Sequence, residues 1–223
     1  MPRAARHCPA GVCFHILNRS VARLKLFEKK GDYDAFEKVL AEAHAKFPLP
    51  IFSYCLMPNH WHFVVRPESD QQVTDFFRWL TTTHTVRWHA HHRTIGTGHL
   101  YQDRFKSFPV ECNHHLLAVL RYVERNPVRA GLAKRAEHWR YGSAWRRAQA
   151  DEMDDLLAPW PIPQPKNWDA WVNLAPSDSE LASLRRSSTR GTPFGSENWI
   201  SQSAARLSLG HTLRPVGRPK RTN

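Results

Sequence analysis

IFSYCLMPNHWHFVVR, residues 51–66, is the stretch that decides the fold. Two apolar runs rich in β-branched and aromatic residues, 51–57 and 60–66, stand on either side of a Pro58-Asn59 turn. Strands joined by so short a link pair antiparallel, as a hairpin. Along the second strand side chains alternate, so His60 and His62 share one face while Trp61 points to the other. Two imidazoles on one face can hold Mg²⁺, Mn²⁺ or Zn²⁺, although imidazole favours the later transition metals. In a chain with 14 histidines a bare H-x-H has an ordinary alternative, a half-buried strand that happens to carry two. The hairpin and its flanking apolar residues favour a site.

Working outward, residues 12–18 (VCFHILN) predict a first strand. Tyr33, Phe36, Val39, Leu40 and Ala43 recur at helical spacing, which predicts a helix over 32–47. A second helix is predicted from Asp70 to about His92, with Val73, Phe76, Phe77, Leu80 and Val86 on one side. Residues 100–110 (LYQDRFKSFPV) predict a fourth strand carrying Arg104 and Lys106. Asn113 can cap a helix that ends near Asn126, because Pro127 discourages continuation. The order strand–helix–strand–strand–helix–strand–helix implies an α+β fold, a split βαβ antiparallel sheet with helices on one face.

The last of those helices carries a second constellation, Tyr122-Val-Glu-Arg-Asn126-Pro127. Tyr122 and Asn126 are four apart and share a helical face. A phenol can attack a phosphodiester and become joined to DNA, and Asn126 could complete a metal shell through its side-chain oxygen. Taken alone, such a Tyr is more often core, and Asn before Pro is more often a helix end. Basic neighbours add weight: Arg121, Arg125 and Arg129 flank the Tyr, and Arg19, Arg104 and Lys106 extend the track, since guanidinium forks match phosphate oxygens. Trp79, Trp88 and Tyr101 could stack on bases, though aromatics at helical spacing are more often core. His89, His91 and His92 cluster at a helix end with no carboxylate or thiol at ligand spacing, so a solvated end is expected there. Nucleotide-binding glycine loops and a G-x-S-x-G elbow are absent from the sequence.

Charge agrees with a polyanionic partner. The net charge is +12 with pI near 10.0, and nucleic acid is the commonest partner of so basic a protein. It is unevenly spread. Residues 181–223 hold eight Lys/Arg against one acid, while 150–180 hold seven acids against one Lys. That suggests three parts: a catalytic domain over 1–149, an acidic Pro/Trp-rich spacer over 150–189 and a basic C-terminal tail over 190–223. In the tail Arg214, Arg218 and Lys220, separated by Pro and Gly, suggest a DNA-binding arm. No apolar stretch approaches the ~20 residues that span a bilayer, and four scattered cysteines without a C-x-x-C pair suit a reducing interior. The expectation is a cytoplasmic, nucleoid-associated protein.

At these residues the chain resembles the REP-associated tyrosine transposases, in the single-tyrosine branch of the His-hydrophobic-His (HUH) endonucleases. The matching stretches are FHILNRS (14–20), YCLMPNHWHFVV (54–65), LYQDRFKS (100–107) and YVERNPVRAGL (122–132), with RGTPFGSENWI and LGHTLRPVGRPKR in the tail. The resemblance implies a ferredoxin-like sheet with the histidines on a central strand and the tyrosine on a following helix. It implies that His60 and His62 bind a divalent metal, Mg²⁺ or Mn²⁺, and that Tyr122 is the nucleophile of a 5′-phosphotyrosine intermediate. Asn126 falls where the wider family places a polar third ligand, often Gln. The implied partners are single-stranded and hairpin DNA of palindromic repeats, met by a monomer or a homodimer. One departure is Tyr101, where Trp commonly precedes the Gln.

Rival readings differ in kind. A replication initiator or relaxase would bring a fused helicase or mobilisation domain. A DNA-hairpin-binding regulator of the same fold, weak or inactive in catalysis, would bind without cleaving. A basic structural protein would leave the ordered motifs unexplained.

Overall fold

The hairpin forms the centre of the computed structural model, which describes residues 7–149 and 156–214. The first strand β1 (Cys13–Arg19) leads to α1 (Lys30–Lys46), β2 (Ile51–Met57), β3 (His60–Val65), α2 (Gln72–His92), β4 (Lys106–Val110) and α3 (His114–Glu124). A short α4 (Asn126–Arg129) follows at once, then α5 (Ser143–Ala148), α6 (Trp168–Asn173), α7 (Asp178–Arg190) and α8 (Glu197–Arg206). The four strands lie in the order β2-β3-β1-β4, every pair antiparallel. This is the split βαβ, ferredoxin-like α+β arrangement.

Alternation along β3 divides the interior in two. Trp61, Phe63 and Val65 join Phe14, Ile16, Phe36 and Phe77 in a core beneath the crossover helices α1 and α2. The Trp61 indole stacks on Phe77 with centroids 5.4 Å apart. These two helices share one face, as the topology requires. The opposite face, with Val64, Cys55, Met57 and Phe108, is covered by α3 through Leu116, Val119, Leu120 and Val123. Covered on both sides, β2 is buried along its whole length, which is why it reads as an apolar run broken only by Ser53. The hairpin turn is anchored too: the Pro58 carbonyl accepts from the N–H groups of Leu26 and Phe27, and that of Asn59 accepts from Ser20.

The fourth strand is shorter than its sequence suggests. Regular pairing starts at Lys106, and Tyr101 touches β1's end only through a bridge to Ser20. Between them the Asp103 carbonyl accepts from Asn18 Nδ2 (3.1 Å) and turns the chain into a loop, so Arg104 is a loop residue. Both sheet edges are covered by single-residue bridges, Gly142 on Cys55 and Phe194 on Val110, which limits pairing with other chains. Next to Phe194 only glycine fits: a Cβ on Gly195 would stand 2.7 Å from Glu111 Oε2.

The Pro/Trp-rich stretch packs on the body. Trp168 and Val172 are buried against α3 in the second core, with Trp160 and Trp171 beside them. Trp160 Nε1 donates to the Phe52 carbonyl of β2 (3.0 Å). Among the described residues no helix is long and apolar enough to cross a membrane.

Candidate functional site

On the α3 side of the sheet the fold gathers four groups. His60 and His62 project from β3 with ring centroids 5.0 Å apart. Tyr122, on the buried face of α3, has its ring centroid 5.8 Å from that of His62 and meets it edge-on. The fourth is His15 of β1, which the sequence reading did not single out. Its Nε2 stands 2.9 Å from His62 Nδ1, and its ring lies 6.2 Å from Tyr122. Period-two alternation places His15 on the same face as His62, but the contact depends on register: Leu17 lies opposite His62, so His15 reaches it diagonally.

Burial keeps these imidazoles neutral. It lowers His15 to about 3. His60 falls to about 4, through burial and the cations of Arg19 and Arg129. His62 is held well below the ordinary imidazole range, by burial first and then by its neighbours His15 and His60. A neutral imidazole is the form that ligates a metal. Because His15 occupies His62 Nδ1, Nε2 is the nitrogen left for a ligand. The donor set therefore fits a cation at His60 and His62.

These shifts carry a pH signature, to which His84, lowered to about 3 by burial, also contributes. A histidine depressed in the folded state takes up its proton mainly on unfolding. Its stabilisation is complete above the unfolded value near 6.5 and is lost as pH falls towards 3–4, at up to about 1.4 kcal/mol per pH unit for each group. Urea midpoints should be level above pH 7 and drop steeply between pH 6.5 and 4. A flat acid limb would show that these imidazoles do not stay neutral in the fold.

Asn126 is fully buried, and both ends of its amide are engaged. Nδ2 donates to the Tyr122 carbonyl (3.0 Å), and Oδ1 accepts from Arg129 (2.7 Å). The same guanidinium lies 5.7 Å above the Tyr122 ring. One arginine thus ties the tyrosine to the asparagine.

The other basic residues separate. Arg19, opposite His60 in the β1–β3 register, lines a polar cleft of about 150 Å³ with Arg104 and Lys106. That cleft shares Asn18, Gln102, Asp103 and Arg104 with a larger groove of about 480 Å³ bordered by Thr81, Thr85 and His99. Arg125 is half-buried beside Asn126. Arg121, expected on the DNA track, is a correction: it is 5% exposed and holds the chain together. Its Nε and Nη2 donate to the carbonyls of Trp171 (3.0 Å) and Leu174 (2.7 Å), and it lies 4.5 Å over the Trp171 ring. Arg214 is exposed, with its carbonyl accepting from Arg190, while Arg218 and Lys220 lie outside the described residues. Tyr101 is also core: its hydroxyl accepts from Trp61 Nε1 (3.1 Å) and bonds to His84 Nδ1 (2.8 Å).

The same fold is found in a known protein. A solved structure of a REP-associated tyrosine transposase bound to a REP hairpin superposes with TM-score 0.55 at 19% identity, over 71% of this chain and 92% of that one. A putative transposase from Deinococcus radiodurans R1 aligns with TM-score 0.39 at 16% identity, over 56% and 97% of the two chains. No curated protein matches in sequence. The sequence model described as "Transposase IS200 like" matches residues 10–126, from the approach to β1 through Asn126. With more than half of its length matched, both histidines and the tyrosine included, the chain belongs to the family of IS200-like transposases.

Proposed function

We propose that the chain is a metal-dependent enzyme that nicks and joins single-stranded DNA beside hairpins formed by palindromic repeats, with Tyr122 as nucleophile. One observation carries this reading. Of five tyrosines in the sequence, four (Tyr33, Tyr54, Tyr101 and Tyr141) pack in the core beneath α1 and α2, and only Tyr122 lies on the face of the sheet that carries His60 and His62.

His60 and His62 would hold the cation, with Asn126 offering the second lone pair of Oδ1. When bound there, Mg²⁺ or Mn²⁺ would supply positive charge to polarise the scissile phosphate. Tyr122 Oη gives up its proton to solvent and forms a bond to phosphorus, the bond from phosphorus to the 3′-oxygen breaks, and the 3′-oxygen takes up a proton from solvent and leaves as a hydroxyl. The product is a 5′-phosphotyrosine. Attack by another 3′-hydroxyl reverses the step and rejoins strands, so no nucleotide need be hydrolysed. Arg129, above the phenol ring, would offset the negative charge that develops on phosphate. Arg19, Arg104 and Lys106 bind the strand in the cleft beside β1.

A labelled hairpin oligonucleotide with a single-stranded 5′ flank, incubated with Mn²⁺ or Mg²⁺, should yield a denaturation-resistant protein–DNA adduct. Its tryptic peptide should carry the nucleotide on Tyr122. Cleavage that leaves no adduct would refute the covalent route. The engagement of Asn126 Oδ1 by Arg129 favours one second reading, a hairpin-binding regulator weak in cleavage. Tight binding without nicking in either metal would select it.

His15 acts in this scheme as a positioning residue for His62. His15→Phe keeps bulk on the strand but removes the partner of His62 Nδ1. Loss of such an outer partner costs about 10–100-fold in metal affinity. A Mn²⁺ titration of the cleavage rate should shift by that factor and recover at saturating metal. An unshifted titration would show that His15 merely fills space.

A further inference from the structure

In the sequence no carboxylate stands near His91 and His92, at the C-terminal end of α2. The fold supplies one from the other crossover helix. Asp32, in the first turn of α1, offers a ligand atom that lies with one from each histidine, all within 4.8 Å of one another. The three line a cavity of about 150 Å³ with Trp88 and His84. It is on the face covered by α1 and α2, across the sheet from His60 and His62.

Each group is oriented. His92 Nδ1 is 2.9 Å from the Trp88 carbonyl; a carbonyl only accepts, so that nitrogen carries the proton and Nε2 keeps a lone pair. The Trp88 ring stacks on the same imidazole at 4.0 Å and 17°, fixing its direction as outer partners do for metal-binding histidines. His91 Nε2 accepts from the Lys29 ammonium at 3.3 Å, so its lone pair already faces a cation. Asp32 Oδ2 is locked by the N–H groups of Glu28 (2.9 Å) and Lys29 (3.1 Å), and Oδ1 remains to coordinate.

We propose that Asp32, His91 and His92 form a second metal site, for Zn²⁺ or another late first-row cation, joining the start of α1 to the end of α2. Two imidazoles, one carboxylate and a water make a tetrahedral zinc set. With bonds of about 2.1 Å the donors of such a site stand about 3.4 Å apart. The ligands must therefore close slightly around the ion. The exposed His91 ring and the exposed Lys29 side chain, which the metal would displace, supply that movement.

The test is Zn²⁺ binding by untagged full-length protein, followed by equilibrium dialysis and thermal unfolding. In a His60→Ala/His62→Ala background one equivalent should remain and should raise Tm. Adding His91→Ala/His92→Ala should weaken it at least ~100-fold and abolish the rise. Asp32→Asn keeps an oxygen for the helix cap and should weaken it ~10-fold or more. On the wild-type background the same histidine pair should remove one equivalent, whatever the first site binds. Zinc bound equally with and without His91 and His92, or no equivalent beyond the first site, would overturn the proposal.

Discussion

Tyr122→Phe is expected to lower cleavage beside a hairpin by ~10³-fold or more, about 4 kcal/mol of transition-state free energy. The side chain is 8% exposed, edge-on to His62 and beneath Arg129. Phenylalanine keeps that packing and removes only the oxygen that would bond to phosphorus. Stability should therefore change by no more than ~0.5 kcal/mol, and hairpin affinity should hold. Since the other four tyrosines pack across the sheet, no substitute nucleophile of the same kind is at hand. Single-turnover cleavage, gel-shift binding and thermal unfolding on the same preparation separate the effects. A variant that cuts at the wild-type rate removes Tyr122 from the chemistry; one that neither binds nor folds assigns it to packing.

The second large effect is on stability. Glu124, two residues beyond the tyrosine, is 3% exposed, and its carboxylate is fully used. Oε1 accepts from Ser143 Oγ (2.8 Å) and from Arg147, and Oε2 accepts from Trp168 Nε1 (2.9 Å). Glu124→Ala strips the partner from an arginine, a buried hydroxyl and a buried indole at once. Removing one side of such a buried pair costs about 3–5 kcal/mol. Urea unfolding should show the midpoint falling accordingly with little change in slope. A loss below ~1 kcal/mol would mean that water replaces the carboxylate and that α6 is only loosely seated.

What the sequence made legible was whatever repeats locally. Alternation in HWHFVV placed His60 and His62 on one face, and helical spacing set α1 and α2 to within a few residues. The proline after Asn126 marked where the tyrosine helix gives way to α4. What escaped were contacts between segments far apart in the chain. His15 is one residue of an apolar strand until register lays it against His62. Arg121 looks like one more cation on a basic rim until α6 brings the Trp171 and Leu174 carbonyls to it. The acidic stretch reads as a spacer because prolines, serines and acids crowd it. Its tryptophans are nevertheless what touches the body, and only the partner surface on α3 and β2 shows that. Asp32 and His92 are sixty residues apart, and no spacing rule relates them.

Tyr122 meets His62 of its own polypeptide. The proposed nucleophile and a proposed metal ligand are therefore already neighbours within one chain, so the proposed reaction can be written without an exchange of helices between copies. The histidine and the tyrosine are inherited as one object.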